Sequence, residues 1–197
     1  MANAVVDTAL AGDRVAEQSE RLAHHALRGE VWAKALTYCR QAGEKALARS
    51  AHSDAAGYFE QALSALTYLP EERDTREQAL DLRLALRSAL LPSGDAERIL
   101  AALREAEALA MALDDHRRLG HISGYLSVQF RNMGAYDQAI ASAQRALALA
   151  IADGDAVVHA LANLYLGAAY WAKGDYRQAS DCLKQTVTSL HGAQRPP

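Results

Sequence analysis

Three groups of side chains in this sequence have the types that catalysis or metal binding requires. His24 and His25 are adjacent, Asp114 and Asp115 are adjacent, and Cys182 is one of two cysteines. Successive residues of a helix point about 100° apart, so the two histidines cannot both face one metal ion without further ligands. Two neighbouring carboxylates could serve as a general acid and base, and a thiol becomes a nucleophile where its pKa is lowered.

The sequence favours a structural interpretation for each group. One histidine is expected to pack and the other to face solvent. The aspartate pair falls where two repeats join, a position at which carboxylates cap the following helix. Cys182 has no adjacent histidine or basic residue that would lower its pKa, so we expect it to pack. Phosphate-binding, Cys-x-x-Cys, His-Glu-x-x-His and Gly-x-Ser-x-Gly motifs are absent from the sequence. We predict no catalytic residue, no metal site and no cofactor, hence a chain that is not an enzyme.

The elements that must position these side chains are predicted to be helices. Apolar residues make up 50% of the 197 residues, but aromatic residues only 6%, and alanine and leucine dominate. These two residues lose little entropy in a helix, whereas strands favour β-branched and aromatic residues. The four prolines lie outside the periodic segments. The composition therefore predicts an all-α fold.

Charge and hydropathy exclude several partner classes. The net charge of −3 offers no polybasic face, which argues against nucleic acid or an anionic membrane as the main partner. The longest apolar runs are too short to span a membrane. The first residues read as a loose leader rather than a signal peptide, since no positive charge precedes an apolar stretch. Two distant cysteines fit a reducing compartment, so we predict a cytoplasmic protein.

A repeat governs the second half of the chain. "MGAYDQAIASAQRAL" and "KGDYRQASDCLKQTV" share Gly-x-Tyr-x-x-Ala, with Gly134 and Gly174 40 residues apart, and Gly94 precedes Gly134 by another 40. Apolar residues recur three and four apart on both sides of each glycine, as in amphipathic helices. Each glycine is expected to end a helix in the left-handed conformation. We expect Tyr136 and Tyr176 to pack between neighbouring units.

These patterns predict about nine antiparallel helices in one solenoid over residues 14–190. Residues 14–67 are expected to form irregular amino-terminal helices, and residues 73–190 three forty-residue repeats. Residues 1–13 would be a flexible leader and 191–197 a disordered tail. The predicted helices are 14–28, 31–49, 52–67, 73–91, 95–113, 116–133, 136–152, 155–173 and 176–190.

The unit from Asn163 to Thr186 resembles the tetratricopeptide repeat (TPR). It carries that repeat's leucine-glycine pair, helix aromatic, turn glycine and tyrosine, and small residue, namely Leu166, Gly167, Tyr170, Gly174, Tyr176 and Ala179. Leu183 stands where an aromatic residue is usual, and Ser127 replaces the helix-crossing glycine of the preceding unit. The period of 40 exceeds the usual length of about 34. The resemblance implies a right-handed TPR-like solenoid.

The amino-terminal stretch resembles a second class of protein. "RLAHHALRGE" followed by "KALTYCRQAGEKALARSAHSDAAGYFEQAL" is similar to the segment after the nucleotide-binding and winged-helix modules of large bacterial signalling ATPases. The ATPases to which this stretch is similar are those with an adenylate or guanylate cyclase domain and the LuxR-type regulators. The resemblance implies the helical sensor region of such a regulator, or a stand-alone relative of it.

The TPR resemblance implies a ligand groove lined by the first helix of each pair. Chaperone-tail binders need lysines and asparagines at set groove positions, where this sequence has Tyr125, Leu161 and Tyr165, so we exclude that partner class. An arginine and an indole in one groove could hold a peptide or a small ligand, although Trp171 could equally fill a gap between repeats. The groove positions are His121, Val128, Arg131 and Asn132, then Leu161, Leu164, Ala168 and Trp171, and in the first unit Asp81, Leu84 and Ser88.

The sequence predicts a non-enzymatic protein-interaction or sensing module of bacterial intracellular signalling that binds a protein or peptide. The alternative is a small-molecule-binding regulatory domain of a signalling ATPase or transcription regulator. The last helix would expose Leu183, Val187 and Leu190, because no cap follows to cover its stacking face. We therefore expect a weak homodimer through this carboxyl-terminal helix.

Overall fold

Helices account for all the regular structure in the described part of the chain. The computed structural model describes residues 19–193, with side chains described as far as residue 187. The predicted leader and the predicted tail from residue 194 onward lie outside this range. Helix α1 covers 19–28 of the described residues. The others are α2 Trp32–Ala48, α3 His52–Leu66, α4 Arg73–Leu90, α5 Ala96–Ala112, α6 His116–Asn132, α7 Tyr136–Asp153, α8 Ala156–Lys173 and α9 Tyr176–Ala193, with a short 3-10 helix Leu91–Ser93 after α4.

Local capping explains why the helices begin and end where the sequence predicts. Asp155 precedes α8, and its Oδ1 accepts hydrogen bonds from the backbone N–H groups of Val157 and Val158, both at 3.0 Å. These bonds lower the pKa of Asp155. At the other end of α8, Gly174 has a φ of +92°, which glycine adopts without steric cost. The prediction of an all-α fold is confirmed. The bounds of α2 to α8 agree with the predicted ones to within one residue, whereas α9 continues to Ala193, past its predicted end at residue 190.

The chain divides into two compact units, Met1–Arg98 and Ile99–Pro197, with the boundary in the first turn of α5. The prediction of a single solenoid over residues 14–190 stays a prediction. The amino-terminal unit contains α1 to α4, and the carboxyl-terminal unit contains most of α5 and all of α6 to α9.

Small residues allow close packing of α2 against α3 in the amino-terminal unit. One stripe of small and apolar residues on each helix is buried, and Phe59 has no exposed surface. A Cβ atom added to Gly43 would lie 2.6 Å from Cε1 of Phe59, so the ring occupies the space that a side chain at position 43 would need. The buried stripes are Ala35, Cys39 and Ala42 on α2 and Ala55, Phe59 and Ala62 on α3.

The carboxyl-terminal unit stacks antiparallel pairs of helices. Helices α6 and α7, α7 and α8, and α8 and α9 pack against each other, and α6 also contacts α8. A Cβ atom on Gly167 would lie 3.2 Å from Cγ of Leu183 and 3.3 Å from the carbonyl oxygen of Ala179. Helices α8 and α9 therefore cross closely at Gly167 and Ala179. The core between these helices consists of Ala139, Ile140, Ala143, Leu166, Ala169 and Cys182.

A polar network joins three helices of this unit. The Arg145 guanidinium on α7 forms an ion pair with Glu107 on α5, and its Nε donates to Oγ of Ser123 on α6 at 3.0 Å. The Ser123 hydroxyl in turn donates to the Leu119 carbonyl at 2.8 Å. Burial lowers the pKa of Arg145. The network therefore links α5, α6 and α7 through their side chains.

The repeat packing includes one contact that the sequence did not indicate and one that it predicted wrongly. Helix α6 approaches α8 closely at Gly124, where an added Cβ would lie 2.8 Å from Cε2 of Tyr165. Tyr176 was expected to pack between units, but 66% of its surface is exposed. That expectation is wrong, because no helix of the described chain packs over the outer side of this ring.

Candidate functional site

The two histidines do not form a ligand pair. Both His24 and His25 are exposed, with ring centroids 6.0 Å apart in an edge-to-face arrangement. The expectation that one of them would pack is wrong, since Ala23 and Ala26 provide the buried positions of this helix. Among the described residues, no group of three or more histidine, cysteine or acidic side chains could hold a metal ion.

The aspartate pair serves the local backbone. Oδ1 of Asp115 accepts a hydrogen bond from the N–H of Arg118 at 2.9 Å, which caps α6 as predicted. The side chain of Asp114 is exposed, and its Oδ1 lies 3.3 Å from Nε2 of His116. The backbone φ angle of Asp114 is +57°. The two carboxylates therefore have separate roles at the start of α6.

Both cysteines are buried packing residues. Burial raises the pKa of the Cys39 thiol to about 11, and burial together with Asp181 raises the pKa of Cys182. A raised pKa keeps the sulfur as an unreactive thiol, because the thiolate is the nucleophile. This is the packing role that the sequence predicted for Cys182.

We expect both thiols to resist alkylation by iodoacetamide at pH 8 in the folded chain. Protection should be at least about tenfold relative to the chain in guanidinium chloride, where the pKa returns to about 8.5. Mass spectrometry of digests taken over a time course measures each site separately. Labelling of Cys182 at the rate of the unfolded chain would contradict the packing role.

An open cavity of about 420 Å³ lies on the carboxyl-terminal unit. We call it the Trp171 cavity. Its volume falls within the range of about 300–1,000 Å³ that is usual for ligand sites. It is lined by Arg131, Tyr136, Gly167, Ala168, Trp171, Ala172 and Leu183.

Four helices position the lining residues of the Trp171 cavity. Arg131 is on the last turn of α6, and Tyr136 is the first residue of α7 after the left-handed turn at Gly134. Trp171 is on the last turns of α8, and Leu183 is on α9. The helix packing of this unit therefore brings together three predicted groove residues, Arg131, Ala168 and Trp171.

The other predicted groove residues lie elsewhere. His121 and Leu161 line a much smaller cavity of about 30 Å³ between α6 and α8. Val128 is half-buried, and Asn132 and Leu164 are exposed, but none of these three lines the Trp171 cavity. Asp81, Leu84 and Ser88 belong to the amino-terminal unit, where the Ser88 hydroxyl donates to the Leu84 carbonyl at 3.0 Å.

The charges around the Trp171 cavity are unevenly paired. Lys173 donates a hydrogen bond to Oδ1 of Asp137 at 2.6 Å, and this bond raises the pKa of Lys173. Arg131 is half-buried, and its side chain makes no hydrogen bond or ion pair within the described part of the chain. The cavity therefore carries a guanidinium whose donors are available to a ligand.

Four lining residues were not among the predicted groove positions, and two of them, Tyr136 and Leu183, have large side chains. Tyr136 was assigned to packing between units, yet it is 37% exposed and faces the cavity. Leu183 was assigned to the stacking face of α9 and is 43% exposed. The one sequence signal at this position was the presence of leucine where the TPR pattern has an aromatic residue.

Comparison with known proteins supports the fold rather than an identity. No family model matches this sequence, and no curated protein matches it either. The chain is similar in structure to a Podosopora anserina protein described as a kinesin light chain with nearly identical TPR-like repeats. The TM-score is 0.75 at 14% identity, with 94% of this chain and 89% of that chain covered.

Two further structures share the fold but are much longer. One is the Rap conjugation gene regulator of plasmid pLS20 in complex with the Phr* peptide. The TM-score is 0.65 at 18% identity, with 80% of this chain and 43% of that chain covered. The other is a signal transduction ATPase with numerous domains (STAND) and a TPR sensor from Pyrococcus horikoshii. The TM-score is 0.67 at 13% identity, with 87% of this chain and 29% of that chain covered. This chain spans less than half the length of either protein.

The class of protein follows from these observations. The antiparallel helix pairs, the glycine turns and the structural likenesses define an all-α helical-repeat fold of the TPR-like solenoid class. Within the described residues, no helix is long and apolar enough to cross a membrane.

Proposed function

We propose that this chain is a non-enzymatic protein-interaction or sensing module of bacterial intracellular signalling, active in the cytoplasm. In this proposal the Trp171 cavity binds a protein or peptide partner. The observation that carries it is the exposure of Trp171, at 66%, beside the half-buried Arg131 in one cavity. Trp and Arg are the residue types that most often dominate binding energy at interfaces.

The structural likenesses support the same proposal. The Rap regulator is described with a bound peptide, and the STAND protein is described with a TPR sensor. Both share the helical-repeat fold, and fold alone does not fix function, so the proposal rests on the cavity of this chain. A partner that inserts an apolar side chain against Trp171 would bury surface that now faces water, which is favourable at about 25 cal/mol per Å².

The proposal is tested by comparing what the wild type and the double variant Arg131→Ala/Trp171→Ala retain from a bacterial lysate. We expect a protein retained by the wild type and lost with the double variant. Tyr176→Ala is the matched control, because Tyr176 is equally exposed but does not line the cavity. If the double variant retains the same proteins as the wild type, the cavity is not the binding site.

The alternative proposal is a regulatory domain in which the cavity binds a metabolite. A thermal-shift screen separates the two proposals, since a ligand that binds only the folded state raises the unfolding temperature as its concentration increases. A metabolite that stabilises the wild type but not Trp171→Ala would favour the alternative. A screen in which only partner proteins stabilise the chain would favour the protein-interaction module.

We also propose a weak homodimer through α9, where Leu183 is 43% and Val187 is 54% exposed. The side chain of Leu190 lies outside the described residues. Sedimentation velocity over a concentration series should show self-association of the wild type and a monomer for Val187→Glu. Gln185→Glu is the matched control, because it adds the same charge about 200° around the helix. A wild type that stays monomeric at the highest concentration would overturn the homodimer.

A further inference from the structure

We propose that the Trp171 cavity selects a peptide segment that presents a carboxylate beside an apolar side chain. The Arg131 guanidinium would bind the carboxylate, and Tyr136, Trp171 and Leu183 would bind the apolar side chain. This inference rests on the proposed function and specifies its partner. It follows from the charge, the walls and the openness of the cavity.

Arg131 is the one charged side chain among the seven described residues that line the cavity. Two cationic side chains of this unit have acidic partners on a neighbouring helix: Arg145 pairs with Glu107, and Lys173 pairs with Asp137. Arg131 has no such partner in the described part of the chain, and no acidic residue lines the cavity. A planar guanidinium with free donors matches the two oxygens of a carboxylate, with which it forms paired hydrogen bonds.

The walls of the cavity are apolar and partly exposed. Trp171 and Leu183 present large surfaces to solvent, and Tyr136 adds a third. Ala168 and Ala172 between them have short side chains, so the floor leaves room for an inserted side chain. An aliphatic or aromatic side chain of a partner would therefore contact rings and a branched methyl group at once, which is the arrangement of a central interface anchor.

The openness of the cavity favours a peptide over a small molecule. Sites for small ligands usually bury about 70–90% of the ligand surface. The Trp171 cavity is open to solvent, and its most exposed wall, Trp171, has 66% of its surface free. A chain segment can continue beyond such a cavity and gain contacts on both sides. A single guanidinium is also too little charge for nucleic acid, which is bound through many phosphate contacts.

The test uses the full chain with Trp32→Phe, which leaves Trp171 as the one tryptophan of the sequence and keeps an aromatic ring stacked on Tyr68. Short capped peptides with one common framework carry Leu-Glu, Leu-Gln, Leu-Lys or Ser-Glu at the centre. Two further peptides end in leucine with either a free carboxylate or an amide. Titration is followed by the fluorescence of Trp171.

We expect the Leu-Glu peptide to bind about tenfold more tightly than the Leu-Gln peptide, the gain of one charge-assisted hydrogen-bonded pair. The Leu-Lys and Ser-Glu peptides should bind more weakly than Leu-Glu. Arg131→Gln should abolish the preference for Leu-Glu over Leu-Gln, because the charge that distinguishes the two peptides is removed. Arg131→Lys should keep part of the preference that Arg131→Gln loses. Lysine has the positive charge but lacks the planar guanidinium that forms paired hydrogen bonds. Comparison of the two terminal peptides shows whether a free chain end can supply the carboxylate.

Equal affinity for the Leu-Glu and Leu-Gln peptides would overturn the inference, as would a preference that survives in Arg131→Gln. Failure of every peptide to change the fluorescence of Trp171 would overturn it too. The proposed function would survive these results if a protein partner still depended on Trp171. If neither the peptides nor a protein partner depended on Trp171, both proposals would fail.

Discussion

Phe59→Ala is expected to lower the free energy of unfolding by about 3–5 kcal/mol, the usual cost of removing a fully buried aromatic side chain. Phe59 has no exposed surface, and its ring fills the contact between α2 and α3 at Gly43. Urea denaturation followed by circular dichroism measures the change. Tyr176→Ala, at a residue 66% exposed, serves as the control and should change stability by less than about 0.5 kcal/mol.

A double-mutant cycle tests directly whether the Phe59 ring and Gly43 are in contact. Gly43→Ala should destabilise the wild type by about 1–3 kcal/mol, because the new Cβ would lie 2.6 Å from the Phe59 ring. In the Phe59→Ala background the same change should be neutral or stabilise by up to about 1 kcal/mol, since alanine is the better helix former. If Gly43→Ala has the same effect in both backgrounds, the ring and the glycine are not in contact.

Trp171→Ala is expected to weaken partner binding by about 2 kcal/mol, or about 30-fold in Kd, with a change in stability below about 0.5 kcal/mol. The two effects separate because the indole is 66% exposed and lines the cavity. Titration calorimetry with the captured partner measures the Kd, and thermal unfolding measures the stability.

Tyr176→Ala again provides the comparison, since it removes an aromatic ring of equal exposure outside the cavity. Its affinity should stay within about twofold of the wild type. A Trp171→Ala protein that binds normally but melts at a much lower temperature would show that the indole is a structural filler, the other interpretation that the sequence allowed.

The sequence determined the helices and their ends. The 40-residue spacing of Gly94, Gly134 and Gly174 located three left-handed turns, and the structure has positive φ angles at all three. Asp115 was placed at a helix start, where the structure has it as a cap. These features are local, because a cap or a turn depends on residues within one turn of helix. A short stretch of sequence is therefore enough to predict them.

Tertiary structure alone decided which predicted groove residues share a cavity. Helical periodicity places a side chain on a face of its own helix, but it does not fix how closely neighbouring helices approach. Arg131 and Trp171 came together in one cavity, whereas His121 lines a separate and much smaller one. Tyr136 and Leu183 joined the cavity from helices that the sequence had assigned to packing. The cavity depends on contacts among four helices, and no single stretch of sequence specifies those distances.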